Sequence, residues 1–214
     1  MRSSTIMRVS RVTAAWTMTV AVAAFAQVPA GAPKPQPSGS STPVTSQTTG
    51  TSRPTSSLAS ADRNFIMKAA QSDLAEIQSG KVAQTKASAD AVKAFAARMV
   101  TDHTQTSDQL KTMASTRNVP LASTPSSKDE KEMKKLGEMS GADFDRAYMA
   151  SQVRAHRDAV NLFEKQSKSG KDADLKSFAA ATLPTLQDHL KMARELEESV
   201  RSARSRNSGE YRTK

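Results

Sequence analysis

Val92, Ala96, Met99, His103, Thr106, Leu110 and Met113 follow one another at alternating steps of four and three. That spacing puts all seven on one side of an α-helix, and an apolar stripe of this kind has to be covered. An imidazole sits in the middle of it. A chain with this feature needs a long helix, partner helices to bury the stripe, and partners for both ring nitrogens of His103.

The same periodicity recurs three more times. A first helix over 62–86 carries Phe65, Ile66, Ala69, Ala70, Leu74, Ile77 and Val82, with Ser60 or Asp62 as its cap. The helix that holds His103 starts after Ser88 or Asp90 and stops at Asn118-Val119-Pro120. A third, over 141–168, buries Phe144, Tyr148, Gln152, His156, Ala159 or Val160, and Phe163, and Ser169-Gly170 ends it. A fourth begins at Asp172 or Asp174 and reaches about 204. Its seam is Leu175, Ala179, Thr182, Leu186, His189, Ala193, Leu196 and Val200, and Pro184 lies inside it. Residues 128–138 are charged, with Met133 and Leu136 as the only large apolar side chains, which predicts a short surface helix. The openings of the second and fourth long helices are alike: Asp90, Lys93, Phe95, Ala96, Ala97 against Asp174, Lys176, Phe178, Ala179, Ala180. Two helical hairpins of common design follow. The expected fold class is all-α, an antiparallel four-helix bundle with a short extra helix in the crossover.

The flanks differ from this domain, which spans 61–204. Residues 1–26 read as a signal peptide: Arg2, Arg8 and Arg11, then an apolar run over 12–24, then Ala24-Phe25-Ala26. The run is too short and too interrupted for a lasting membrane span. Residues 27–60 are built from Pro, Ser, Thr, Gly and Ala and read as a disordered linker. Residues 205–214 read as a basic, disordered tail. The expected location is the periplasm or the exterior, and the linker offers a route to association with the cell envelope. With no cysteine in the chain, the exported domain must fold on its core alone.

The net charge of +10 falls to +7 when Arg2, Arg8 and Arg11 leave with the signal. Acidic and basic side chains alternate along the helices, and aromatic residues are 4% of the chain. A basic patch interleaved with stacking aromatics is missing, so nucleic acid is not an expected partner. No serine has a nucleophile motif around it and no glycine loop for phosphate exists, so nothing argues for an enzyme.

The chemistry lies in the three histidines. At 1.5 Å per helical residue, Glu76, His103, His156 and His189 come one from each long helix and within about 8 Å of one level. Glu76 belongs to the Phe65, Ala69, Ser72 row, at the edge of the Ile77 face. Three readings stay open: a structural polar layer, a metal site of one carboxylate and three imidazoles suited to zinc, iron or copper, and a pocket for a small ligand or haem-like cofactor. Asp102 and Asp188 precede two of the histidines but point about 100° away from them around the helix, so each serves another histidine or only the solvent.

Phe65 with Glu76, VKAFAARMVTDH over 92–103, FDRAY over 144–148 followed by His156, and LPTLQDHL over 183–190 together resemble an exported bacterial family called domain of unknown function 4142. Its members are often labelled predicted outer-membrane proteins. The resemblance covers about 62–196. It implies a ferritin-like fold and an envelope location, and no established activity. Di-iron ferritins carry Glu-x-x-His on two helices, whereas Val100 and Leu186 stand three residues before His103 and His189 here, so ferroxidase chemistry does not carry over. The sequence thus reads as an exported, non-enzymatic helical protein with an envelope or stress-related binding role, or alternatively as a mononuclear metal-binding protein.

Overall fold

The computed structural model describes residues 58–210. The expected signal peptide over 1–26, nearly all of the expected linker over 27–60, and 211–214 of the expected tail lie outside the described residues. Within them the protein is all-α, with five helices and no strand: α1 (Ser60–Lys86), α2 (Asp90–Thr116), α3 (Ser127–Gly137), α4 (Gly141–Ser169) and α5 (Ala173–Glu210). The last helix continues past 204, where the sequence pattern loses its apolar seam. No helix among the described residues is long and apolar enough to cross a membrane.

Packing follows the seams. α1 lies along α2 and α4 along α5, α1 also touches α4, and α3 packs on α1 and α4. α2 and α5 meet only sparsely. α1 packs tightly on α2 at Gly80, where an added Cβ would stand 2.8 Å from Val100 Cγ2 and 3.0 Å from the Ala96 carbonyl oxygen. Gly80→Val is therefore expected to cost about 2 kcal/mol by overpacking, and adding Val100→Ala should recover part of it. Urea unfolding of the two variants checks this; equal stability of Gly80→Val and wild type would refute it.

The core is divided. One apolar cluster gathers Phe65, Ile66, Leu110, Phe163, Leu175 and Phe178, the first with its ring 5.0 Å from that of Phe163. The other gathers Phe95, Met99, Phe144, Tyr148, Met149 and Leu190. Along every long helix the residues between the two clusters are polar and buried: Asp73 and Glu76 on α1, His103 on α2, Gln152 and His156 on α4, His189 on α5. A polar slab thus crosses the protein between two apolar halves.

Each hairpin turn is held by a carboxylate from the other hairpin. Asp62, in the first turn of α1, is fully buried. It accepts from the backbone amides of Lys171 and Asp172 and from Gln166 Nε2, so it closes the turn between α4 and α5. Asp145, early in α4, accepts from the amides of Ser88 and Ala89 and from the Ser88 hydroxyl, and closes the turn between α1 and α2. This corrects the expected capping. Neither Ser60 nor Asp62 caps α1, and neither Ser88 nor Asp90 caps α2: the N-cap positions are Ala59 and Ala89, and the Asp62 carboxylate and the Ser88 hydroxyl are engaged with the other hairpin. Asp172 does cap α5, accepting from the amide of Leu175 at 3.0 Å.

Candidate metal centre

The three histidines converge. One ring nitrogen from each of His103, His156 and His189 lies within 4.8 Å of the other two. Their ring centroids are 5.3–5.7 Å apart. All three side chains are buried.

What holds each ring decides its chemistry. His103 Nδ1 is 2.8 Å from Asp73 Oδ1 and donates to it. His156 Nδ1 is 3.0 Å from the Gln152 carbonyl, which can only accept, so the proton sits on Nδ1. His189 Nε2 is 2.8 Å from Asp102 Oδ2. Each ring therefore spends one N–H on an acceptor from the protein and turns the lone pair of its other nitrogen elsewhere. His103 Nε2 and His156 Nε2 face each other at 3.4 Å. His189 Nδ1 is buried without a partner. Two facing lone pairs and a third left bare form an arrangement that calls for a cation or a proton.

Glu76 is buried at this level, but it is not part of the converging group. Its Oε2 accepts from Gln152 Nε2 at 2.8 Å. The four residues expected from the sequence are thus brought to one slab, and three of them share a focus. Gln152 has a double part: its amide holds Glu76, its backbone carbonyl orients His156, and its own Oε1 is left without a partner.

The sequence did not point to Asp73. Leu74 and Ile77 suggest that the buried face of α1 lies beside them, yet both are only half-buried, while Asp73 is 3% exposed. A signal existed: aligning Asp62 with Asp145 sets Asp73 opposite His156, a core position. Asp102 serves His189 across the gap between helices, and also accepts from Arg98 Nε at 3.2 Å. Asp188 is exposed and takes no part.

Burial disfavours charge on the imidazoles, and the outcome differs by ring. His189 is held down to about 4, mainly by burial. Burial likewise lowers His156. Burial also acts downward on His103, but the bond to Asp73 and the nearby charges of Glu76, Asp73 and Asp102 outweigh it, and its pKa is raised. Burial pushes the Asp73 carboxyl up against the opposing pull of His103.

The pH dependence follows. An unfolded histidine binds its proton near pH 6.5, so between pH 6.5 and about 4 the unfolded chain takes up protons that folded His189 and His156 refuse. Their contribution is complete above pH 6.5 and is lost as pH falls. His103 has the opposite sign: its contribution is present below pH 6.5 and is lost as pH rises through its folded value. For His189 alone the loss between pH 8 and pH 5 is about 2 kcal/mol, read as the difference in pH slope between metal-free wild type and His189→Gln. Identical slopes in the two proteins would refute a buried neutral His189.

Residues 47–196 match the family model described as domain of unknown function, DUF4142. The chain belongs to the DUF4142 family. The match takes in the site residues of all four long helices and ends within α5, seven residues after His189. A solved structure similar to this DUF4142 protein is that of a conserved hypothetical protein, rv2844, from Mycobacterium tuberculosis. The two share 19% sequence identity at a TM-score of 0.50, over 65% of this chain and 92% of that one. At that identity the likeness concerns the fold alone. No curated protein matches the chain.

Proposed function

We propose that this DUF4142 protein is an exported, ferritin-like four-helix bundle that binds one divalent transition-metal ion on His103, His156 and His189. The observation that carries the reading is a set of three buried imidazoles, each with one nitrogen held by Asp73, the Gln152 carbonyl or Asp102, that bring one ring nitrogen apiece within 4.8 Å of the others. Bonds of this kind set the tautomer and raise the basicity of metal-binding histidines. A tetrahedral ion with nitrogens at about 2.0–2.1 Å spaces them about 3.4 Å apart. His103 Nε2 and His156 Nε2 already stand at 3.4 Å.

Charge supports the same reading. Asp73 and Glu76 are buried, and neither has a lysine or arginine bonded to it, whereas Asp102 has Arg98. Two buried carboxyl groups beside the imidazoles suit a divalent ion, which would offset the charge they carry. Imidazole ligands suit zinc, copper and iron. Glu76 stands in this scheme as a compensating charge that keeps Gln152 in place, not as a ligand.

Export rests on Arg2, Arg8, Arg11, the apolar run and Ala24-Phe25-Ala26, and makes the periplasm the place where the metal would be met. Elemental analysis of the full chain, produced without a histidine tag and recovered from the periplasm, tests the reading: about one equivalent of metal is expected, on a chain whose first residue is Gln27. Protein that takes up no zinc, copper or iron after reconstitution would overturn it.

A further inference from the structure

Three imidazoles leave a tetrahedral ion one position short, and the protein has a cavity beside it. Between α2 and α5 a cavity of about 350 Å³ is lined by His103 and His189 at its buried end and by exposed Gln105, Gln109 and Ala181 at its outer end. His156 does not line it, so the open side of the triad is the side of His103 and His189. The gap has a local cause. α5 turns the small Ala181, Thr182 and Thr185 toward α2, and Pro184 offers no N–H to the Ala180 carbonyl, so this stretch of α5 neither fills the space nor tightens against it.

The walls say what kind of molecule fits. Apart from the histidines, the cavity has one cation and one carboxylate. The carboxylate, Asp102, is already bonded to both Arg98 and His189. Arg98 uses Nε on Asp102 and Nη1 on Met192 Sδ, and among the described residues its Nη2 makes no hydrogen bond. The remaining wall is uncharged; Thr106 and Thr182 spend their hydroxyl protons on the Asp102 and Phe178 carbonyls, which leaves the Thr185 hydroxyl and the glutamine amides as donors.

We propose that this cavity is the binding cleft for a small anion that completes the metal's coordination: the donor atom enters between His103 and His189, and the negative charge faces Arg98 Nη2 at the rim. This rests on the metal reading above. It makes the site an open one, accessible to exchange, in contrast to a closed structural centre whose ligands all come from the chain.

The test uses the full chain loaded with cobalt(II), whose visible absorption reports the number and type of ligands, and azide as the probe anion. Wild type is expected to change its visible bands saturably with azide. Thr185→Trp, which fills the cleft and leaves the three histidines in the sequence, should keep one cobalt and bind azide at least about tenfold more weakly. Ala181→Phe, on the same wall at the exposed rim, gives the same reading if the tryptophan variant does not fold. Arg98→Gln should weaken azide while leaving the response to neutral imidazole unchanged. Cobalt-loaded wild type that ignores azide would overturn the open cleft and leave the metal reading standing. Failure of cobalt to bind at all would overturn the metal reading itself. Azide affinity unchanged in the cavity-filling variants would refute the route, and unchanged affinity in Arg98→Gln would refute the preference for anions.

Discussion

Zinc is expected to raise the melting temperature of the wild-type protein, and each of His103→Ala, His156→Ala and His189→Ala to abolish the rise. A ligand that binds only the folded form stabilises it by about 2.7 kcal/mol at a hundredfold excess over Kd, which for a domain of this size is a rise of about 5–10 °C. Loss of any one imidazole removes the effect, because two nitrogens 3.4 Å apart or wider do not hold the ion as three do. Glu76→Gln provides the contrast: Glu76 bonds Gln152 and lies outside the converging group, so most of the rise should remain. Metal-free variants separate the site from a merely structural layer. His103→Ala strands Asp73, already short of a partner at Oδ2, and should be the least stable of the three, by about 2–5 kcal/mol. Calorimetry of the five proteins with and without zinc measures both effects. A wild type that melts at the same temperature in both conditions would sink the metal site.

Asp145→Ala and Asp62→Ala are each expected to lower stability by about 3–5 kcal/mol, as much as truncating a core aromatic residue. Asp145 is 2% exposed and meets two backbone amides and a hydroxyl; Asp62 is 0% exposed and meets two amides and a glutamine. Truncation takes the acceptor away from the amides of Ser88 and Ala89 before α2, or of Lys171 and Asp172 before α5. The carboxylate charge also lies at a helix N-terminus, where it is favoured. Asn at either place keeps one acceptor oxygen and should lose about half as much. Urea unfolding reads the series; a loss below about 1 kcal/mol in either alanine variant would mean that the turn is held by something else.

The long helices are legible in the sequence because their seams are long and strictly periodic, and a wrong assignment would have to bury lysine and arginine. The histidine level is legible for the same reason, since residues on seams can be counted along helices of known rise. Asp73 and Asp62 were not legible in this way. Both are carboxylates in core positions, and hydropathy assigns such residues to the surface. Only the partner reveals the burial, and each partner is far along the chain: His103 for Asp73, Lys171 and Asp172 for Asp62. On α1 the apolar Leu74 and Ile77 drew the expected face about a quarter turn from the one that carries the site. Asp102 was within reach, because its direction away from His103 was evident from the 100° step per residue. Its partner, His189, depended on how α2 and α5 are set against each other.

The exchanged carboxylates bear on how the domain comes apart. Neither hairpin carries the group that finishes its own bend: Asp145 belongs to the hairpin that does not need it, and so does Asp62. A chain with one hairpin formed and the other unravelled would leave bare amides in the formed one, so half-folded states lose stability twice. The two hairpins are therefore expected to melt together as one cooperative unit, with no intermediate in which one outlives the other. A hairpin cut out by itself, α1–α2 or α4–α5, would be a fragment and not a smaller domain.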